Sequence, residues 1–267
     1  MNMSWALFKA NIRVNRFIWL LIVSVYSFYS IILVSMFNPE SGDALQEMLS
    51  MLPPELVNAM GMNFGSTLLT FLSGTLYSLL LYLFPMIVSI IINHRLIAVH
   101  VDRGSMSYLL STSNSRFRVA VTQAVFSLIS ITVIFCWITI LTLIISAAMF
   151  PGLMDTKQFI LLNLYALLMY YTVNGICFFA SCLANESKFS LGLGAGLPVA
   201  FVLLQMLGDS GDKLNWIGNL SLFALFDPER LFAGDSFAYV GMGIFAGLAT
   251  VLYVLGILVF NKKDLTI

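Results

Sequence analysis

Few side chains in this 267-residue chain could carry covalent or metal chemistry, and none is arranged for it. His94 and His100 are the only histidines; six residues apart they fall on different faces of a helix, without a carboxylate cluster to complete a metal site. Cys136, Cys177 and Cys182 all sit inside apolar runs, which argues against a disulfide framework, and Cys177 with Cys182 lacks a metal-binding partner set. The chain has no H-E-x-x-H, no G-x-S-x-G and no G-x-x-x-x-G-K-[ST], so zinc protease, nucleophile-elbow hydrolase and autonomous nucleotide hydrolase all lack their machinery. We expect no catalytic residues, no metal site and no cofactor bound by this chain, which is not an enzyme by itself. Net charge is zero and the pI is near 6.7, so no basic field points to nucleic acid.

What the polar residues could do instead is dock. The interval from Asn93 to Arg118 reads NHRLIAVHVDRGSMSYLLSTSNSRFR, a long hydrophilic break in an oily chain. Met106, Leu109 and Leu110 are spaced i, i+3 and i+4 and would form one apolar stripe on a helix, with Ser105, Ser107 and Ser111 turned elsewhere. Asp102 before Gly104 and Ser105 suits a turn or a helix start, STSNS reads as a turn, and Arg116 and Arg118 flank the apolar run that follows. The alternative is a solvated connecting loop whose apolar residues rest on lipid headgroups.

The elements that must position this segment are membrane spans. The chain is 60% hydrophobic and 10% charged, with a mean hydropathy of +0.94, the composition of a polytopic membrane protein. A spanning helix needs about 20 mostly apolar residues. Six segments qualify, at about 17–37, 67–92, 119–150, 159–184, 190–208 and 239–260, giving an all-α fold in a single transmembrane domain over residues 1–267. With six spans, Lys9, Arg13, Arg16, Arg95, Arg103, Arg116, Arg118, Lys188, Lys262 and Lys263 share one side, ten of the thirteen basic residues; ten of the thirteen acidic residues lie opposite. The positive-inside rule makes both termini cytoplasmic. The first sixteen residues mix Trp5, Leu7, Phe8, Ile12 and Val14 with Lys9, Arg13 and Arg16, which reads as an amphipathic interfacial helix and not as a cleaved signal; a charged flank that only orients the span is the alternative. On the outer side, Pro54 could start a short helix, and Asp227-Pro228 is a helix-start signal after apolar 222, 223, 225 and 226, suggesting re-entrant or surface-lying helices or segments packed on the span ends.

No Asp, Glu, Lys or Arg stands near the middle of any span, which removes support for proton- or sodium-driven transport. The polar residues within the spans are Thr70, Ser73, Thr75, Ser78, Ser89, Thr122, Gln123, Ser127, Ser130, Asn163, Thr172, Asn174 and Gln205. These read mainly as hydrogen-bonding glue between helices, with Thr70, Ser73, Ser78 and Gln205 as possible pathway positions. Gly192 and Gly196 make a small-xxx-small face fit for a dimer or bundle contact, and Pro85 and Pro198 should bend their spans. Both features are also ordinary membrane-helix composition.

Three patches resemble type 2 ABC exporter permeases (ABC-2 type). Asp102, Gly104, Ser105, Leu109, Leu110, Ser111 and Arg116 resemble the acidic-x-Gly-Thr…Leu-Leu-Ser-x-Pro…Arg pattern between the family's second and third spans. Phe260, Lys262, Lys263, Asp264 and Leu265 look like its closing F-x-[KR]-[KR]-D-L, and Phe226, Asp227 and Pro228 with Leu231 and Gly234 are similar to its segment before the last span. Ser105 replaces Thr, and Ser113 or Asn114 stands where Pro is usual, which leaves the loop geometry open.

The resemblance implies a permease half that pairs as a homodimer or heterodimer in a bacterial plasma membrane and binds separate ABC ATPase subunits, which would handle ATP and Mg. It implies a cytoplasmic coupling helix containing Asp102, Arg103, Gly104, Met106, Leu109 and Leu110, with Arg116 as a further polar contact, and an outer gate at Phe226, Asp227, Pro228 and Glu229. Membrane lipid surrounds such a chain. The implied cargo is hydrophobic or amphipathic: an antimicrobial peptide, peptide toxin or drug, consistent with 22 Phe and 10 Tyr. A channel-like, structural or sensory membrane subunit without ATP coupling is the other reading.

Overall fold

Long helices set side by side make up the chain. The computed structural model describes residues 3–38, 51, 53, 56, 67–77, 79–106, 109 and 115–263, and every regular element among them is helical. In order these are α1 (Trp5–Met36), α2 (Leu68–Thr75), α3 (Leu79–Asn93), a π-helical turn (His94–Ala98), α4 (Val99–Asp102), α5 (Arg116–Met149), α6 (Thr156–Leu183), α7 (Ser187–Asp209), α8 (Asn215–Gly218), α9 (Pro228–Phe232) and α10 (Ser236–Lys262). Six helices are long and apolar enough to cross a bilayer: α1, the rod from Tyr82 to Asp102, α5, α6, α7 and α10.

Four of the six begin three residues before the expected start, at Arg116, Thr156, Ser187 and Ser236, and in three of them the reason is a cap. Ser115 Oγ accepts from Arg118 N, Asp155 Oδ1 from Gln158 N and Asp235 Oδ1 from Phe237 N, so the hydrogen-bonded helix starts at the polar residue that satisfies its free N–H groups.

Two segments differ from the sequence expectation. The amphipathic amino-terminal stretch is not a separate interfacial helix: it forms the first turns of α1, an unbroken helix of 32 residues. No Gly or Pro interrupts it; Lys9, Arg13 and Arg16 are exposed, while Ser4 and Asn11 are held inward, Asn11 Nδ2 donating to Gln123 Oε1 at 2.5 Å and Ser4 N to Thr122 Oγ1 at 2.9 Å. The second span, expected as one helix over 67–92, is interrupted between Thr75 and Leu79 and then runs on to Asp102. Residues 93–102, expected in a hydrophilic connection, therefore belong to the rod, and Asn93, Leu96, Ile97 and Ala98 are buried in it. Asp102 closes the helix instead of starting one. Gly104 takes φ 67° and its N–H donates to Val101 O at 3.1 Å, the left-handed stop that a residue with a Cβ adopts only under strain.

α6 is the central helix, the most buried of the six, with α3, α5, α7 and α10 packed around it. α1 runs parallel to α5, bound by Phe8 and Trp19 against Phe126 near one end and Phe37 against Phe150 at the other. The outward faces are apolar: Phe17, Leu20 and Phe28 on α1, Ile140 and Ile144 on α5, and Val251 and Val254 on α10 are exposed, as suits helices solvated by lipid tails. The start of α1 bonds the start of α5, and the start of α5 bonds the end of α10, so these termini share one end, here the basic end.

Past α7 the chain folds back along that helix. Gly208 and Gly218 meet backbone to backbone: a Cβ added at Gly208 would stand 2.3 Å from Gly218 Cα. Ser221 Oγ then donates to Phe201 O at 2.8 Å, eight residues before the end of α7 and so about 12 Å along it at the α-helical rise. Phe223 packs on Tyr82 with ring centroids 4.8 Å apart, and Tyr165 donates to Leu225 O. The returning segment thus lies against α7, α3 and α6 through Gly218, Ser221, Phe223 and Leu225, while residues 213–216 are exposed.

Candidate functional site

The residues singled out in the sequence separate into three places. At the basic end, Asp102 and Arg103 are exposed where α4 stops. The turn is closed by His100, whose Nδ1 lies 3.0 Å from Ser105 Oγ, while Ser105 Oγ donates to His100 O at 3.3 Å. Met106, expected on a docking stripe, is 2% exposed and belongs to the chain's own core, and Leu109 packs partly buried against the same core. Past the left-handed turn at Gly104, the stripe at these two positions faces the chain's own core. The outward surface of the turn is Asp102, Arg103 and Gly104. Leu110, Ser111, Ser113, Asn114, Asp264 and Leu265 lie outside the described residues.

Arg116 is engaged within the chain: its Nη1 donates to Lys263 O at 2.7 Å. Lys263 Nζ in turn donates to the carbonyls of Cys182, Leu183 and Ala184, the last turn of α6, where free C=O groups and the negative end of the helix dipole attract a cation. Partial burial pulls the Lys263 ammonium below the ordinary lysine range, partly offset by the nearby Cys182 thiol. This clasp joins the entry to α5, the end of α6 and the end of α10.

Just inside that end lies a buried polar network at the π-turn. Asn93 Nδ2 donates to Asn174 Oδ1 at 2.5 Å and to Ser89 O at 2.7 Å. Ser127 Oγ donates to Asn93 Oδ1 at 2.7 Å and lies 3.0 Å from Tyr253 OH, and Asn174 Nδ2 donates to Ser127 O at 3.0 Å. Gln123 Nε2 donates to Leu96 O within the π-turn at 3.0 Å, while its Oε1 accepts from Asn11. Five spans, α1, α3, α5, α6 and α10, and the irregular turn are therefore tied together, in low-dielectric surroundings that make such bonds strong and specific. Gln123, Ser127 and Asn174 were legible as interhelical glue; Asn11, Asn93 and Tyr253 were not singled out. A signal for Asn11 existed in its i, i+4 pairing with Asn15, since two asparagines on one face of an apolar helix need partners.

At the acidic end, Asp227, Pro228 and Glu229 form the predicted helix start. Asp227 Oδ1 accepts from Arg230 N at 3.1 Å, its Oδ2 pairs with Arg230 Nε at 3.2 Å, Pro228 opens α9, and Glu229 is exposed. Phe226 is buried, its ring 4.9 Å from that of Tyr165.

The residues named as possible pathway or dimer contacts do not converge. Thr70 forms a capping box with Thr67, and Ser73 Oγ donates to Thr70 O, so both are used within α2. Ser78 lies outside the described residues. Gln205 Nε2 donates to Asp209 Oδ1 at 3.0 Å on the same helix. Gly192 and Gly196 both face outward with open space around them, and it is Gly194 between them that packs inward, on Ala180 and Cys177 of α6. Models of known protein families and characterised proteins give no match to the chain. The fold and these sites define its class, a multi-pass α-helical membrane protein.

Proposed function

We propose that the chain is the permease subunit of an ATP-driven ABC exporter of the type 2 kind, working as a homodimer or heterodimer with two separate ATPase subunits. The observation that carries this reading is the rod from Leu79 to Asp102, 24 residues or about 36 Å of helix, whose far end presents exposed Asp102 and Arg103. A lever of that length delivers a push at Asp102–Arg103 to the Asn93 network and on to Tyr82 beside the outer segment. Both termini and the 103–115 connection lie on the cytoplasmic side in this reading, and the absence of a phosphate-binding loop in the sequence fits hydrolysis on a partner chain.

ATP binding would close the ATPase pair and draw the two rod ends together, shifting the spans between inward-open and outward-open arrangements. Such a shift requires contacts that differ between the two states, and an exposed polar turn gripped by a partner supplies them. The cargo is a hydrophobic or amphipathic peptide or drug, since no charged residue stands near the middle of a span to compensate a charged one.

Because Met106 and Leu109 face the core, the clean perturbation is charge reversal of the exposed pair, Asp102→Lys with Arg103→Glu. Copurification with an ATPase subunit and cargo-stimulated hydrolysis in nanodiscs should both be lost while the variant remains inserted and helical. Undiminished copurification and stimulation would sink the coupling assignment. A wild-type chain that oligomerises with no ATPase partner would favour a channel-like or structural subunit.

A further inference from the structure

α1 is longer than a bilayer requires. Its 32 residues make a rod of about 48 Å, whereas a hydrocarbon core of about 30 Å takes about 20 residues. Residues 17–36 carry no charged side chain and are enough to fill that core, so Trp5–Arg16 stand at the headgroups of the leaflet at the basic end, on the same unbroken helix.

Packing gives this stretch two faces. Ser4, Phe8, Asn11 and Asn15 are buried, the first three against Thr122, Phe126 and Gln123 of α5. At about 100° per residue, Trp5, Lys9, Arg13 and Arg16 share an arc of about 80° centred about a third of a turn from the buried face. All four are exposed. Farther along the rod, Phe17, Leu20 and Ile31 are exposed on the same side, so the surface is cationic at headgroup depth and apolar below it.

The chain supplies no counter-charge to this face. Neither α1 nor α5, the helix it lies along, contains an Asp or Glu, and Lys9, Arg13 and Arg16 form no ion pair among the described residues. Arg118 adds a cation beside the start of α1, since its carbonyl accepts from the same Thr122 hydroxyl that Ser4 N bonds. Arg116 and Lys263 at the same end are, by contrast, engaged with backbone carbonyls. Trp5 stacks on Phe8 with ring centroids 5.4 Å apart, and Lys9 Nζ lies 5.8 Å from the Trp5 ring, which sets the indole at the outermost turn, the depth that tryptophan favours at a membrane surface.

We propose that this face of α1 binds an anionic phospholipid of the leaflet at the basic end, with its phosphate held by Lys9, Arg13 and Arg16 and its acyl chain laid along Phe17, Leu20 and Ile31. Arginine meets phosphate oxygens with two parallel N–H donors and lysine with a point charge. A zwitterionic head brings an ammonium that these cations repel, so net negative charge is what the face selects. One basic residue near an anionic leaflet raises affinity about fivefold, and three together about a hundredfold.

The test uses the full chain in phosphatidylcholine nanodiscs containing a photoactivatable phosphatidylglycerol, with crosslinks mapped by mass spectrometry. Residues 5–20 should crosslink several-fold more to this probe than to a photoactivatable phosphatidylcholine. Equal crosslinking of the two probes overturns the proposal, and this comparison needs no variant. Inorganic phosphate, added against sodium chloride of equal ionic strength, should leave the excess unchanged; its loss to phosphate alone would make the site one for the free ion and overturn the lipid assignment. Lys9→Gln with Arg13→Gln and Arg16→Gln should bring the two probes level, whereas Arg95→Gln with Lys188→Gln and Lys262→Gln, which removes the same charge from exposed positions at the same end, should not. Equal effects of the two triple variants would mean that the leaflet reads only total charge, and would overturn it.

Discussion

Replacing Asn93 by leucine removes the hub of the polar network while keeping the side chain close in size. The variant loses the donation to Asn174 Oδ1 and the acceptance from Ser127 Oγ, both between helices. Hydrogen bonds between membrane helices contribute about 0.6 kcal/mol each on average and up to about 1.7. Ser127 keeps Tyr253, but Asn174 Oδ1 is left buried without the Asn93 donor, a further loss of about 1–3 kcal/mol. The expected destabilisation is therefore about 2–4 kcal/mol. Ser130→Ala, which deletes a hydroxyl bonded only to its own helix, should be near neutral. Reversible unfolding in bicelles measures both. A double-mutant cycle of Asn93→Leu with Asn174→Leu should show a coupling of at least about 0.5 kcal/mol, as for residues in one network. Additive losses, or a loss for Asn93→Leu no larger than for Ser130→Ala, would refute the reasoning.

Two further substitutions probe the ends of the bundle. Gly208→Ala puts a methyl carbon 2.3 Å from Gly218 Cα, so α7 and the returning segment must separate, lowering stability by about 1–3 kcal/mol and raising hydrogen exchange over 215–226; unchanged exchange there would contradict the contact. Lys263→Met withdraws the cation from the last carbonyls of α6, a loss of about 0.3–1 kcal/mol that should fall with added salt in wild-type against variant unfolding curves.

The six spans were readable in the chain because a bilayer imposes a length and an apolar requirement that few other structures satisfy. Four of their starts lie three residues earlier than the apolar runs suggest, and in three of these Ser115, Asp155 and Asp235 start the helix through their caps. The helix start at Asp227 and Pro228 was legible because capping is local chemistry. The face of Met106 was not. A stripe of Met106, Leu109 and Leu110 fits docking on a partner and packing on one's own core equally well, and only the path of the rod beneath the bundle selects the second at Met106.

What the sequence determined by itself was the solvent of the fold and the placement of its charges. Sixty per cent hydrophobic residues in six runs require a membrane, and ten of thirteen basic residues on one side follow from counting spans. Tertiary structure decided where polar atoms meet. Asn11, Asn93 and Asn174 stand far apart in the chain, and no local rule pairs them; they converge because α1, α3, α5 and α6 pack side by side and bury them, and a buried amide is costly unless a polar group on a neighbouring helix answers it.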